Sequence, residues 1–338
     1  MTYKIMFDDR WIGMHGIGRF AKEVFSRLKN TTTISHPVIK PSHPLDPFYT
    51  SWLIYKNNPT LYFSPGYNPP FYLTTKIPYF FTIHDLTHLK IKSDYYFLKK
   101  MYFERFIKPA VKKTETLFVP SVHTKNDIIE WAKIDANKIM VIGYGVSAAF
   151  TPTGMKAIFS KPYFLYIGNR RPHKNVNSLL RAFSRLPDRA HFNLLLSGEM
   201  DASIMHILKK LKIIDNVIFL GANLDDHCIA TLYRGAIATI MPSFYEGFGL
   251  PALESMACGT PVIVSRIASL PEVVQDGGLF FDPYEIDDLV YQMQNLAQNN
   301  DLHQRVSKKA ILQSQHFTWD KTVNKINMAF VKLLHQKS

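Results

Sequence analysis

Short, near-continuous apolar runs alternating with amphipathic stretches constrain this chain more than any other feature. In the first half the runs lie at 4–7, 60–63, 79–83, 116–119 and 139–142. In the second half they lie at 163–167, 192–196, 217–220, 238–241 and 261–264. Strands without apolar–polar alternation are buried on both faces, and intervening helices supply the cover, so parallel sheets are predicted. Helical spacing of apolar residues appears at 19–28, 94–112, 124–131, 176–186, 204–210, 226–234 and 251–257. Two such sets predict two doubly wound α/β domains, and 338 residues suit two domains of about 100–200 each. Residues 147–162, interrupted by Pro152, Gly154 and Pro162, read as the linker. The expected division is 1–150, 151–316 and a final helix at 317–338 carrying Val323, Ile326, Phe330 and Leu334 on one face.

Hydrophobic residues make up 46% of the chain and charged residues 20%, which excludes a disordered or fibrous chain. The two cysteines, Cys228 and Cys258, have no ligand-like spacing. A disulfide framework and a zinc ribbon are therefore excluded, and a reducing, cytoplasmic compartment fits. No run reaches 18 apolar residues, and the N-terminus lacks an apolar signal core and reads as the first strand. Forty Lys and Arg against 27 Asp and Glu give a net charge of +13. Residues 1–150 hold 20 basic and 11 acidic side chains, which points to an anionic partner: a phosphate-rich substrate, an anionic membrane or nucleic acid. No RNA- or DNA-binding signature accompanies the charge, so no nucleic-acid partner is expected. Residues 88–113 interleave eight Lys and Arg with six aromatics. Such a helix either lies on an anionic membrane surface or packs one face and solvates its lysines.

Four motifs carry chemistry. The longest is Pro242-Ser243-Phe244-Tyr245-Glu246-Gly247-Phe248-Gly249-Leu250-Pro251-Ala252-Leu253-Glu254, which follows the run at 238–241. Strand, glycine-rich turn and helix point backbone N–H groups and a positive helix end toward an anion, and Pro251 suits the first helical position. Gly247 and Gly249 permit close backbone approach, and the carboxylates of Glu246 and Glu254 bracket the anion site, where they can accept from sugar hydroxyls. The second is Gly168-Asn169-Arg170-Arg171-Pro172-His173-Lys174-Asn175, again after a strand. Its three cations would neutralise a diphosphate, and Asn175 is expected to cap the next helix. The third, Gly16-x-Gly18-x-x-Ala21, matches a dinucleotide fingerprint but lacks its context: residues 8–15 separate it from the strand, and no carboxylate follows at the required distance. The fourth, His84-Asp85, stands at a strand end, where doubly wound folds place ligands. Ser121 or Thr124 reads as a helix cap. No Asp-x-Asp, His-Glu-x-x-His, Gly-x-Ser-x-Gly or P-loop lysine motif occurs, so the charge of a leaving diphosphate falls to side chains and helix ends, and no metal or other cofactor is expected.

The chain resembles glycosyltransferase family 4, retaining enzymes of the GT-B fold. The likeness runs through the two-glutamate string, continues over Ala257-Cys258-Gly259-Thr260-Pro261 and Leu270-Pro271-Glu272-Val273, and spans nearly the whole chain. It implies two Rossmann-like domains facing a central cleft, the first for the acceptor and the second for a nucleotide-sugar. The final helix would return to the first domain. By resemblance, Glu246 contacts the donor sugar and Glu254 the ribose, while the backbone of Gly247, Phe248, Gly249 and Leu250 faces sugar and phosphates. Lys174 matches the family's phosphate lysine. The family's arginine position holds Asn169 here, which leaves Arg170 and Arg171 as substitutes. Gly16 and Gly18 would close over the diphosphate, His84 would orient sugar or acceptor, and Asp85 would support its loop. The donor base would meet backbone around Gly221-Ala222-Asn223. The catalytic set is then Glu246, Lys174 and His84. The resemblance is to O-antigen and surface-polysaccharide mannosyl- or rhamnosyltransferases. It suggests a GDP-mannose-like donor, a glycan or polyprenyl-linked acceptor, and a peripheral location on the inner face of the cytoplasmic membrane. A GT-B epimerase or phosphorylase, a nucleic-acid binder suggested by charge alone, and a catalytically silent nucleotide-sugar sensor remain alternatives.

Overall fold

The computed structural model describes residues 3–13, 16–34, 38–92, 95–222 and 224–336. Met14, His15, Asp94 and Asn223, each part of a stretch singled out above, lie outside the described residues. The chain divides into two compact units, Met1–Gly145 with Thr318–Ser338, and Val146–Phe317.

The first unit begins with β1 (Ile5–Phe7), α1 (Gly16–Phe25), β2 (Thr31–Thr32), α2 (Asp46–Asn57), β3 (Leu61–Ser64) and β4 (Tyr79–Thr82). It continues through α3 (Thr87–Lys90), α4 (Tyr96–Tyr102), a π-helical turn at Phe103–Ile107, α5 (Lys108–Lys113), β5 (Thr116–Val119), α6 (Val122–Ala132) and β6 (Ile139–Val141). The six strands form a parallel sheet in the order β2-β1-β3-β4-β5-β6. Every residue of β1, β3 and β4 is buried, which is why their sequences show no alternation. The strand β2 was not legible because it is two threonines at a sheet edge. The single helix expected at 94–112 is instead three pieces. Pro109 supplies no N–H near the start of α5, and the widened π turn before it lets the helical path continue.

A buried charge cluster ties this unit together. Arg10 pairs with Asp8 at 2.6 Å and with Asp46, at the start of α2, at 2.5 Å; both carboxylates are fully buried. The Tyr62 hydroxyl donates to Asp8 at 2.9 Å, and the Asn68 amide donates to Asp46 at 2.7 Å. Burial pushes the Asp46 carboxyl above its ordinary range, while Arg10 pulls against it.

The second unit runs β7 (Tyr163–Tyr166), α7 (Val176–Arg185), β8 (Asn193–Leu196), α8 (Ala202–Leu211), β9 (Val217–Phe219), α9 (Asp226–Gly235) and β10 (Ala238–Met241). There follow α10 (Leu250–Ala257), β11 (Val262–Ser265), α11 (Leu270–Val274), β12 (Gly278–Phe281), α12 (Ile286–Gln298) and α13 (Asn300–Ser314). Its parallel order is β12-β11-β10-β7-β8-β9. The chain therefore leaves β7 in one direction and returns on its other side as β10, which makes the β7–β10 edge the switch point. A sixth strand, β12, exists beyond the five expected; it opens on Gly278, its apolar run is the three residues Leu279-Phe280-Phe281, and only Phe281 is fully buried. Phe150 packs in this unit with Tyr163 and Tyr233, which places the boundary at Gly145 rather than 150.

The last helix, α14 (Trp319–Gln336), belongs to the first unit. Trp319 is buried against Phe20 and Tyr144. Phe330 meets Phe63, Phe80 and Phe118 at ring-centroid distances of 5.6, 4.8 and 6.2 Å. Any Cβ on Gly145 would lie 2.0 Å from the Trp319 backbone nitrogen, so only glycine fits there.

Removing one partner from a buried ion cluster strands the others without solvation. Arg10→Met is expected to lower the stability of the first unit by roughly 3–5 kcal/mol, read as a shift of its urea transition. A loss below about 1 kcal/mol would mean that the cluster is solvated and weak.

Candidate active site

In the second unit the loops leaving β7 and β10 are stitched together at the switch point. The Phe244 amide donates to the His173 carbonyl at 2.7 Å. The Asn175 side-chain amide donates to the carbonyls of Pro242 at 3.0 Å and Pro283 at 3.4 Å. The expected helix cap by Asn175 is thus not made. Its backbone is left-handed, with φ of 52°, and its side chain braces the neighbouring loop instead.

Across this seam Lys174 Nζ donates to Glu246 Oε1 at 2.7 Å. Ser243 Oγ donates to the same oxygen at 2.7 Å, and Ser269 Oγ donates to the Glu246 carbonyl at 3.0 Å. Glu246 is 8% exposed. Its Oε2 makes no hydrogen bond among the described residues. The site therefore presents one cation and one half-used carboxylate, both positioned by short bonds.

The two arginines differ. Arg170 Nη1 donates to the Ser197 carbonyl at 3.0 Å, while Nη2 donates to the Glu199 carbonyl and to Asp201 at 3.2 Å. Its guanidinium also lies 5.7 Å from the Phe219 ring. A Cβ on Gly198, whose φ is +85°, would fall 2.8 Å from that guanidinium. Arg170 is thus a brace between the loops after β7 and β8. The Ile204 amide and then Arg170 hold the Asp201 carboxyl below its ordinary range. Arg171 is exposed, and its guanidinium has no partner among the described residues.

Around the start of α10, Gly249 adopts φ of +101°, and a Cβ there would lie 2.7 Å from Leu270. Gly247 is buried, Leu250 is half-buried, and the Phe248 ring is buried edge-on against Phe317 at 5.7 Å. Phe248 can therefore offer a ligand its backbone more readily than its ring. Glu254 is 3% exposed and accepts from the Tyr233 hydroxyl at 3.2 Å. The sequence reading quoted Ser243 within its longest motif without giving it a role, and it did not single out Ser269, Ser197 or Tyr233. Ser243 stands three residues before Glu246 and could have been noticed; the others come from distant strands and helices and leave no local signal.

In the first unit His84 follows β4. Its Nε2 donates to the Pro65 carbonyl at 2.7 Å, which places the proton on that nitrogen, and Nδ1 accepts from the Tyr144 hydroxyl. Phe20 lies edge-on to the ring at 5.3 Å. Burial lowers its pKa to about 4, against smaller opposing effects of the Pro65 bond and of Asp85. Asp85 accepts from the Thr87 amide at 2.8 Å and so supports its own loop. Ser121 caps α6 by accepting from the Thr124 amide at 3.0 Å. Gly16 is exposed at the start of α1, whereas Gly18 is buried, and a Cβ there would lie 2.7 Å from the Gly13 backbone. Close packing alone accounts for glycine at 18.

The chain matches the model described as Glycosyltransferase Family 4 over residues 18–150 and that described as Glycosyl transferases group 1 over residues 156–313. It is 27% identical over 82% of its length to O-antigen chain mannosyltransferase B of Escherichia coli, of which the alignment covers 75%. It is 34% identical over 60% of its length to O-antigen chain mannosyltransferase RfbU of Salmonella typhimurium, and there it spans just over half of the relative, 56%. Among solved structures, sucrose-phosphate synthase from Thermosynechococcus elongatus superposes with a TM-score of 0.78 at 18% identity, covering 99% of this chain and 100% of that one.

The His84 ring has a measurable consequence. Its folded pKa of about 4 lies below the ordinary 6.5, so between these values the unfolded chain binds the proton first. The stability this ring contributes is full above pH 6.5 and declines as pH falls toward 4. Urea midpoints measured across that window should fall more steeply for the wild type than for His84→Asn. Equal slopes would show that the ring titrates as freely as in water.

Proposed function

The chain belongs to family 4 of the glycosyltransferases and has the GT-B fold of two Rossmann-like domains; on that premise we propose that it moves a hexose, mannose in particular, from a nucleotide-diphosphate sugar to a glycan or polyprenyl-linked glycan in the assembly of a surface polysaccharide such as O-antigen. The mannosyltransferase names of its relatives support the sugar; GDP-mannose as the donor rests on the sequence resemblance alone. The observation that carries the donor site is the Lys174–Glu246 pair at the switch point of the second sheet, with the uncommitted Arg171 three residues away.

Breaking the bond between the anomeric carbon and the diphosphate builds negative charge on the β-phosphate. Lys174 and Arg171, with the N–H groups at the start of α10, are suited to stabilise that charge without a metal. Glu246 holds Lys174 with one oxygen and offers the other to the sugar hydroxyls. Glu254, oriented by Tyr233, accepts from the ribose. In the first unit both ring nitrogens of His84 are engaged, by the Pro65 carbonyl and the Tyr144 hydroxyl, so the neutral ring serves to hold the loop after β4 rather than to bond sugar or acceptor. Departing phosphate and entering hydroxyl share one face of the sugar, so configuration is retained and no protein nucleophile is required.

Thermal shift with GDP, UDP, ADP and dTDP, each in EDTA and in magnesium, tests this reading. A nucleotide at 100 times its Kd adds about 2.7 kcal/mol of stability; GDP is expected to do so equally in EDTA. Lys174→Ala and Glu246→Gln should each lower turnover by about 100-fold or more. Arg171→Ala should weaken nucleotide binding, whereas Arg170→Ala should chiefly lower stability. Stabilisation by no nucleotide, or turnover within a few-fold of wild type in the first two variants, would overturn the assignment.

A further inference from the structure

We propose that the second unit carries a subsite for the acceptor glycan: the exposed ring of Tyr284, backed by Phe244, is a platform on which a pyranose ring of the acceptor stacks. The inference rests on the reading of the chain as a hexosyltransferase. It adds a contact in the second unit, whereas the family resemblance assigns the acceptor to the first.

The platform is built on the turn after β12. The Asp282 amide donates to the Asp288 carboxylate on α12 at 2.9 Å, the Tyr284 amide donates to the Asp282 carboxylate at 2.9 Å, and the Glu285 amide donates to the Asp282 carbonyl at 3.0 Å. The Pro283 carbonyl accepts from the Asn175 side chain at 3.4 Å. The backbone on both sides of Tyr284 is therefore held, and the turn has little freedom to lose when a ligand arrives. The Tyr284 ring lies on Phe244, with centroids 5.3 Å apart and planes inclined by 25°. Phe244 is half-buried and Tyr284 is 73% exposed, so one face of the tyrosine is covered and the other meets solvent. A lone exposed aromatic is ordinary. One stacked on a second ring and fixed by the bonds of its own turn is pre-organised for a flat partner.

Two links tie this ring to the donor site. Phe244 stands two residues before Glu246, so their Cα atoms are at most about 7 Å apart. Asn175, which directly follows Lys174, bonds Pro283 with the same amide that bonds Pro242 at 3.0 Å. The sheet then sets the direction. Crossovers that run outward from β7 and from β10 in opposite directions put their helices on opposite faces. Accordingly α7 packs on α12, and α9 packs on α10. Glu254 of α10, bonded to Tyr233 of α9, marks the side read above as the ribose side. Phe244 and Tyr284 belong to the α7–α12 side, so they approach Glu246 from the side away from the nucleoside.

Charge narrows the ligand further. Residues 282–288 hold Asp282, Glu285, Asp287 and Asp288 and no Lys or Arg, which repels phosphate and suits a neutral ligand. One face of a pyranose carries clustered C–H groups that pack on an aromatic ring, while its hydroxyls stay in water at the rim. The acceptor must bring a hydroxyl to the anomeric carbon beside Glu246, and a neighbouring sugar of the same glycan then meets Tyr284.

Transfer from GDP-mannose to an octyl glycoside of α-linked mannotriose tests the proposal. Tyr284→Ala should raise the KM for that acceptor by about ten-fold, while the KM for GDP-mannose and the nucleotide-induced thermal shift stay at wild-type values. Tyr284→Trp, which keeps a flat ring, should keep the wild-type acceptor KM. Saturation-transfer NMR of free mannotriose needs neither donor nor turnover; it should show contact with the wild type that Tyr284→Ala loses. An acceptor KM unchanged in Tyr284→Ala, no saturation transfer to mannotriose in the wild type, or loss of the nucleotide-induced shift in the variant overturns the proposal. Mannotriose contact that depends on Tyr284 in a protein that no nucleotide stabilises would overturn the transferase reading and leave the platform standing.

Discussion

Everything the second unit offers a ligand depends on β7 and β10 being hydrogen-bonded neighbours. That pairing brings Lys174 and Glu246, 72 residues apart in sequence, to 2.7 Å. The Phe244–His173 and Asn175–Pro242 bonds close the seam, and Ser243 and Ser269 then fix the carboxylate and its backbone. A lysine parked on a carboxylate costs little to keep half-buried, because each group supplies the other's solvation. The second carboxylate oxygen, Oε2, is left without a hydrogen bond among the described residues.

The two units manage charge in opposite ways. In the first, Arg10 is saturated by Asp8 and Asp46, so it serves as a fixed strut between the end of β1 and the start of α2. Arg170 plays the same part in the second unit, bridging loops through Ser197, Glu199 and Asp201. Lys174 and Arg171 are the contrasting pair: one is held by a partner that can be exchanged, and the other has none among the described residues. Partner saturation, more than charge itself, separates the bracing cations of this protein, Arg10 and Arg170, from Lys174 and Arg171.

Much of the sheet architecture was legible because buried parallel strands leave unbroken apolar runs, as at Tyr163–Tyr166 and Ala238–Met241. The edges were not. Two threonines suffice for β2, and β12 opens on glycine with three of its four residues only partly buried. The helix α2 escaped notice because apolar residues on both of its sides erase the one-sided periodicity that marks a helix. Local motifs singled out Lys174 and Glu246 in the loops after β7 and β10 of the second unit and His84 after β4 of the first. They could not distinguish Arg170 from Arg171, since Ser197, Glu199 and Asp201 lie about thirty residues away, and only the folded sheet brings them near. Nor could they show that Asn175 braces a loop rather than capping a helix, because both uses need the same side chain.

The order in which the chain is made gives α14 a further significance. The first unit is nearly complete by Gly145, yet the rings of Phe63, Phe80 and Phe118 wait for Phe330, and Phe20 and Tyr144 wait for Trp319. On the ribosome, those aromatic surfaces stay uncovered while all of Val146–Phe317 is synthesised. The unit that starts first therefore finishes last, and a nascent chain that has not reached Trp319 leaves those rings without their cover.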